Sequence, residues 1–240
     1  VRVALISDIH AAAGPYGLAL DAARREGFDR LILMGDLLTY GPSPAETIAL
    51  TRQAVERDGA VILRGNHDQI YFDIEAGGSP YVDALPGWIR ESADWTLAEI
   101  GGAAALRAFQ WQDEWQAGPL LVSHANPFGG GDWTYLNGPE PMERACGVLA
   151  ERGFSFGVFG HVHRFRRFAA AGVELATIGS VGQPRDEADK APQWAMAEVT
   201  DGRVSIERRP LDHDWSDDIR MINATLLSQA TKERLVRFLA

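Results

Sequence analysis

The sequence predicts an α/β protein on three observations: strand-length hydrophobic runs alternate with helical patterns over residues 1–68, the second half is rich in strand signals, and Asp, Asn and His side chains follow directly on the hydrophobic runs. Residues 1–7 read as a buried strand, 18–27 as a helix, 30–34 as a strand, 44–58 as a helix and 60–63 as a strand. That βαβαβ order implies a parallel sheet with right-handed crossovers. Residues 69–118 change character, with Trp88, Trp95, Trp111 and Trp115 set among helix formers, and a helical insertion is expected there with its tryptophans packed on helix faces. Residues 119–122 and 154–159 read as strands. Hairpins are expected from 166–170 with 173–178, and from 194–199 with 204–208 across Asp201-Gly202. Residues 217–240 predict a C-terminal amphipathic helix carrying Leu226, Leu227, Leu235, Val236 and Leu239.

With 240 residues and 46% hydrophobic content, the chain is expected to fold as one domain over residues 1–240 with the insertion inside it. The 33 acidic against 23 basic side chains give a formal charge of -10, which argues against binding a nucleic-acid polymer or an anionic membrane. A small phosphorylated partner remains compatible, because bound cations reverse the field inside a pocket. The single cysteine, Cys146, excludes an intramolecular disulfide and reads as a buried thiol on a helix. The first strand begins at Val1 and no apolar run approaches the roughly 20 residues of a membrane span, so the expected location is cytoplasmic. Assembly into a homo-oligomer is left open.

Five of the six histidines fall in short motifs after hydrophobic runs: Asp8-Ile9-His10, Gly65-Asn66-His67-Asp68, Ser123-His124-Ala125-Asn126 and Gly160-His161-Val162-His163. Side chains at the carboxyl ends of strands stand where open α/β sheets build active sites. Asp8 with His10, and His161 with His163, are two residues apart, so on extended segments each pair points to one side and can share a cation. Gly35 lets the backbone turn so that the carboxylate of Asp36 can bridge two ions, and Asn66 adds a neutral oxygen that limits charge. Seven oxygen and nitrogen donors without a thiolate suit Mn, Fe or Zn, with Mn favoured. His213 lacks this context and is expected on the surface or in a turn.

In order and spacing, Asp8-x-His10, Gly35-Asp36, Gly65-Asn66-His67-Asp68, His124 and Gly160-His161-Val162-His163 resemble the five motif blocks of the calcineurin-like metallophosphoesterases. Tyr40-Gly41-Pro42-Ser43-Pro44 and the segment from Gly179 to Arg185 resemble a small bacterial branch, YfcE-like or diadenosine tetraphosphatase-like. The resemblance implies a four-layer α/β/β/α sandwich of two mixed sheets flanked by helices. It assigns Asp8, His10 and His163 to one metal, Asn66, His124 and His161 to the other, and Asp36 to both. Two cations roughly 3.5–4 Å apart would polarise a phosphoryl group and make water the nucleophile, as a bridging hydroxide. His67 would protonate the leaving oxygen or stabilise transition-state charge, with Asp68 orienting that ring or binding the loop backbone. Arg185 is a candidate substrate contact.

The reaction expected is hydrolysis of a phosphomonoester or phosphodiester, with a small nucleotide-like substrate. Dinucleoside polyphosphate hydrolysis is the alternative within enzymes, and a non-catalytic scaffold on the same fold is the alternative outside them. A complete ligand set together with His67 favours the enzyme. Two departures from the family pattern bear on substrate: Ala11-Ala12-Ala13 stands where many relatives carry Gly-Asn, and Thr39 stands where protein phosphatases carry an acidic residue.

Overall fold

In the computed structural model, which describes residues 1–240, eleven strands form two mixed sheets. The first contains β1 (Arg2–Ile6), β2 (Arg30–Leu33), β3 (Val61–Leu63), β4 (Trp111–Gln112), β10 (Gln193–Thr200) and β11 (Arg203–Pro210), in the order β11-β10-β1-β2-β3-β4. β1 to β4 run parallel, and the β10–β11 hairpin joins antiparallel at β1. The second contains β5 (Glu114–Ala117), β6 (Leu120–Ser123), β7 (Phe156–Phe159), β8 (Arg166–Ala170) and β9 (Val173–Thr177), in the order β5-β6-β7-β9-β8. Here β6, β7 and β9 are parallel, with antiparallel β5 and β8 at the edges.

The alternation of side chains along a strand builds the layers. Val3 and Leu5 of β1 join Ile32, Leu63, Leu120, Val122, Phe156 and Val158 in a core between the two sheets. Their neighbours Ala4 and Ile6 face the opposite way, into the core shared with α1 (Ala13–Glu26) and α2 (Pro44–Asp58). On the far side, α7 (Pro139–Glu151) lays Met142, Ala145, Cys146 and Leu149 against Leu121, Phe159 and Leu175. The result is the four-layer sandwich expected, with Cys146 buried on a helix.

The remaining helices gather beside the first sheet. The insertion holds α3 (Asn66–Glu75), α4 (Pro80–Asp83), α5 (Gly87–Glu99) and α6 (Ala104–Arg107). Its expected helical character ends there, since residues 111–117 are strands: Trp111 pairs with Ile62, and Trp115 with Val122. Sheet pairing to distant partners overrides local preference at these tryptophans. The expected single C-terminal helix is two, α8 (Ser216–Ala224) and α9 (Gln229–Val236). Thr225 is extended, and the Ser228 side chain accepts from the Thr231 amide to start the second helix, so Leu226 is 91% exposed rather than packed. Trp215, Ile222, Leu227, Leu235 and Leu239 pack with Ala12 and Tyr40, against Trp88 and Trp95 of α5. No helix is long and apolar enough to cross a membrane.

Candidate metal centre

Parallel strands from both sheets deliver their carboxyl ends to one place. Asp8 and His10 follow β1, Asp36 follows β2, Asn66 follows β3, His124 follows β6, and His161 and His163 follow β7. All seven side chains are buried. Donor atoms of Asp8, His10, Asp36 and His163 lie within 4.8 Å of one another, as do those of Asp36, His124 and His161, so Asp36 belongs to both groups. The Asn66 Oδ1 lies 3.2 Å from His124 Nε2 and joins the second group.

The convergence does not come from extended segments. Asp8, His10, Asp36, His161 and His163 have φ of 54°, 48°, 53°, 64° and 58°, all in the left-handed region. Such residues cost roughly 1–3 kcal/mol each and persist only where their surroundings hold them. The surroundings are main-chain bonds between loops: Asp8 N donates to Gly35 O at 3.1 Å, His10 N to Asp36 O at 2.8 Å, and Gly182 N to Asp8 O at 3.0 Å. Gly35 (φ 92°) packs so tightly that a Cβ there would stand 2.5 Å from the Gly65 nitrogen.

The outer contacts turn the donors inward. Nδ1 of His10, His124 and His163 pairs with the carbonyls of Leu38, Met34 and Gln183 at 3.2, 2.7 and 2.7 Å, so each Nδ1 carries a hydrogen and each Nε2 is turned toward the cluster, as a lone pair at His10 and His163 and as a site that gives up a proton to a cation at His124. His161 uses Nε2 on the Trp133 carbonyl, which leaves Nδ1 as its free donor atom. The Asn66 amide is oriented by donation from Nδ2 to the Tyr81 hydroxyl at 2.9 Å, which faces Oδ1 toward His124. His10 Nε2 and His163 Nε2 are only 3.2 Å apart. Asp36 Oδ2 is buried without a hydrogen-bond partner, 3.7 Å from His10 Nε2 and 3.5 Å from His124 Nε2. Lone pairs facing one another around an orphaned carboxylate oxygen are a donor set that fits divalent cations.

Electrostatically the cluster acts as one unit. Burial raises both carboxylates, but His163 outweighs it at Asp8, and His124 with His67 outweighs it at Asp36, so both stay ionised. Burial pulls His10 well down with help from His163, takes His161 to about 3 and also lowers His163. At His124 burial is overcome by the Asp36 and Asp8 carboxylates, which hold the ring up at about 9.

The other expected site residues divide. Burial takes the His67 ring to about 4, against the pull of Asp36; its main-chain N donates to Asp36 Oδ1 at 2.8 Å, and its Nε2 lies 3.0 Å from the Tyr40 hydroxyl. Asp68 binds loop backbone rather than that ring: its carboxylate accepts from the amides of Asp36 (2.7 Å), Leu37 (2.9 Å) and Gly65 (2.8 Å). Burial and the Asp36 charge push Asp68 up to about 7 against those donors. Arg185 is held beside the site by Gln183 Oε1 at 2.9 Å, with its Cζ 5.6 Å from the Phe238 ring centre. Arg64 and Arg167 are paired with Asp113 and Glu174. His213 lies in a loop, bonded to Asp218 at 2.8 Å. Tyr81 and Tyr135, the latter stacked on His161 at 3.9 Å between ring centres, come from segments with no local signal of a site. Tyr40 opens the Tyr40-Gly41-Pro42-Ser43-Pro44 motif, but only the fold reveals its contact with His67.

A sandwich of two mixed sheets with a buried Asp, Asn and His cluster at their carboxyl edges defines a metal-dependent phosphoesterase. The chain belongs to the calcineurin-like phosphoesterases, whose family model matches residues 1–165, and it is a hydrolase of phosphate esters. An uncharacterised protein of Methanocaldococcus jannaschii is 25% identical over 97% of this chain and 96% of its own length. The fold is similar to a metallophosphoesterase from Sphaerobacter thermophilus, with a TM-score of 0.72, 21% identity and coverage of 98% of this chain and 99% of that one. It is likewise similar to a hypothetical protein from Pyrococcus horikoshii, with a TM-score of 0.80, 16% identity and coverage of 98% and 97%.

Proposed function

We propose that the protein hydrolyses a small, nucleotide-like phosphomonoester or phosphodiester at a centre of two divalent cations, with Mn the favoured ion. Asp8, His10 and His163 would hold one cation, Asn66, His124 and His161 the other, with Asp36 between them. The observation that carries this reading is the partnerless Asp36 Oδ2, shared by two groups of buried donors. When bound, the cations supply Lewis acidity toward the phosphoryl oxygens and an activated water as nucleophile.

The chain's own residues account for the rest. The carbonyls of Leu38, Met34 and Gln183 hold a hydrogen on Nδ1 of three rings and aim each Nε2 at the cluster, so His10 and His163 would offer lone pairs without turning and His124 would do so on losing a proton. His67, anchored to Asp36 through its main chain, stabilises charge on the leaving oxygen. Arg185, braced by Gln183, offers a guanidinium to the non-bridging oxygens. The nucleotide-like assignment rests on Tyr135, which stacks on His161 yet remains 44% exposed, a face against which a flat base can lie.

Metal-stripped protein reloaded with Mn is expected to cleave p-nitrophenyl phosphate or bis-p-nitrophenyl phosphate. Asp36→Asn should lower bound metal below two ions per chain and reduce activity by more than about 100-fold, beyond the effect of an outer contact. His67→Ala should retain metal and lose about 10²–10⁴-fold. Full activity in Asp36→Asn, or silence of metal-loaded wild type on both esters, would remove the basis for the proposal.

A further inference from the structure

Tyr40 is built into the centre with more care than a core aromatic needs. Its φ of 73° is in the left-handed region, a conformation that a bulky residue adopts only where its surroundings hold it. Four contacts hold it there. Its main-chain N donates to Ser92 Oγ at 2.9 Å. Its ring meets His10 at 4.7 Å and His67 at 4.7 Å between centres, and Trp88 stacks on it at 5.3 Å and 19°. Trp88 is in turn backed from the C-terminal segment by Phe238 at 6.2 Å and by the Arg234 guanidinium 4.9 Å over its ring. The phenol ends on His67 Nε2 at 3.0 Å, and both residues are buried.

The hydrogen count fixes the direction of that bond. The buried Tyr40 hydroxyl has His67 as its sole hydrogen-bond partner, so an Nε2–H pointing at its oxygen would leave the phenolic hydrogen without an acceptor. Donation from Tyr40 O–H to Nε2 satisfies it and places the ring's own hydrogen on Nδ1. That atom is buried and has no protein partner. A phenol thus stands where an acidic residue could have paired with the ring, and unlike a carboxylate it leaves the imidazole neutral.

We infer that Tyr40 is a positioning residue, which holds His67 as a neutral Nδ1–H donor for the leaving oxygen of the ester. This rests on the role given to His67 above. No proton need change owner: the Nδ1–H bond stays intact and strengthens its contact as charge develops on the leaving oxygen. The clamp from Trp88 and the C-terminal helix keeps the hydroxyl in register.

The test is a leaving-group series on Mn-loaded protein, with p-nitrophenyl, phenyl and methyl phosphates, in wild type, Tyr40→Phe, His67→Ala and the double variant. Phenylalanine keeps the stack and removes the hydroxyl. Tyr40→Phe is expected to lower kcat with KM nearly unchanged, by about 10-fold more on phenyl than on p-nitrophenyl phosphate. In the double variant the loss should match His67→Ala within about twofold, since the two residues act as one unit. Equal losses for every leaving group, or losses that multiply in the double variant, would overturn the inference. If His67→Ala is itself indifferent to the leaving group, the role of His67 fails as well; if it is sensitive and Tyr40→Phe is not, only Tyr40 falls. A second readout needs no variant: long-range ¹H–¹⁵N correlation of the zinc-loaded protein should show His67 protonated on Nδ1, and a ring protonated on Nε2 contradicts the inference.

Discussion

Asp68 spends both carboxylate oxygens on main-chain amides, those of Asp36, Leu37 and Gly65, and so ties the loop after β2 to the loop after β3. Those loops carry Asp36 and Asn66, and a small relative shift would separate them. Asp68→Asn replaces one acceptor oxygen by a donor facing an amide, a change worth about 1–3 kcal/mol for a buried group. Melting in denaturant should register that loss, and half-maximal activity should need more Mn, with kcat recovered at saturation. A kcat that stays low at saturating Mn would instead make Asp68 part of the chemistry. At this scale the sequence was informative about identity and mute about conformation. Every donor of the two clusters was legible from its motif, but the left-handed backbone at Asp8, His10 and Asp36 was not, because it is imposed by bonds between loops far apart in the chain. Tyr81 was illegible for a related reason: it acts by orienting the Asn66 amide across a turn of the insertion.

Among elements, the βαβαβ unit was readable because its hydrophobic periods and turn residues agree. The second helix runs from Pro44 to Asp58 as expected, ended by Gly59 in the left-handed region at φ 62°. The short strands at 111–117 were not readable, since two and four residues carry too little pattern and their partners lie in different sheets. A finer feature joins elements at the far edge of the first sheet. Glu26, at the end of α1, accepts from Arg209 of β11 at 2.8 Å and from Arg2 of β1 at 3.3 Å. Arg209 holds the Glu26 carboxyl below its ordinary range despite partial burial. A carboxylate with a depressed folded pKa adds stability above its unfolded pKa, and that contribution disappears as pH falls through the folded value. Glu26→Gln should therefore destabilise at pH 7 by about 0.5–1 kcal/mol, the range for partly exposed pairs. The gap to wild type should close as pH drops below about 4. Denaturant midpoints measured from pH 7 to 3 decide it, and a gap that persists or widens in acid rules out the ion pair as its source.

For the whole molecule, the centre is also a joint. His10 and His163 are 153 positions apart and their Nε2 atoms meet at 3.2 Å, one from a loop after the first sheet and one from a loop after the second. The sheets share an apolar core between them, but at their carboxyl edges what lies between them is the ring of donors, with two ionised carboxylates and an orphaned oxygen in the interior. Buried like-charged oxygens and opposed lone pairs are costly unless a cation compensates them. Cations that bind only the folded chain therefore stabilise both sheets together, by about 2.7 kcal/mol at 100 times the dissociation constant. For a chain of this size that corresponds to a rise in Tm of about 5–10 °C. Calorimetry of chelator-treated protein against the same sample with Mn measures the rise directly, and Asp36→Asn should lose most of it. An Asp36→Asn protein that gains as much as wild type would mean that the added ions stabilise from elsewhere on the surface. Rises in both metal dependence and Tm that vanish together in this variant would tie the strain stored at Asp8, His10, Asp36, His161 and His163 to the ions it serves.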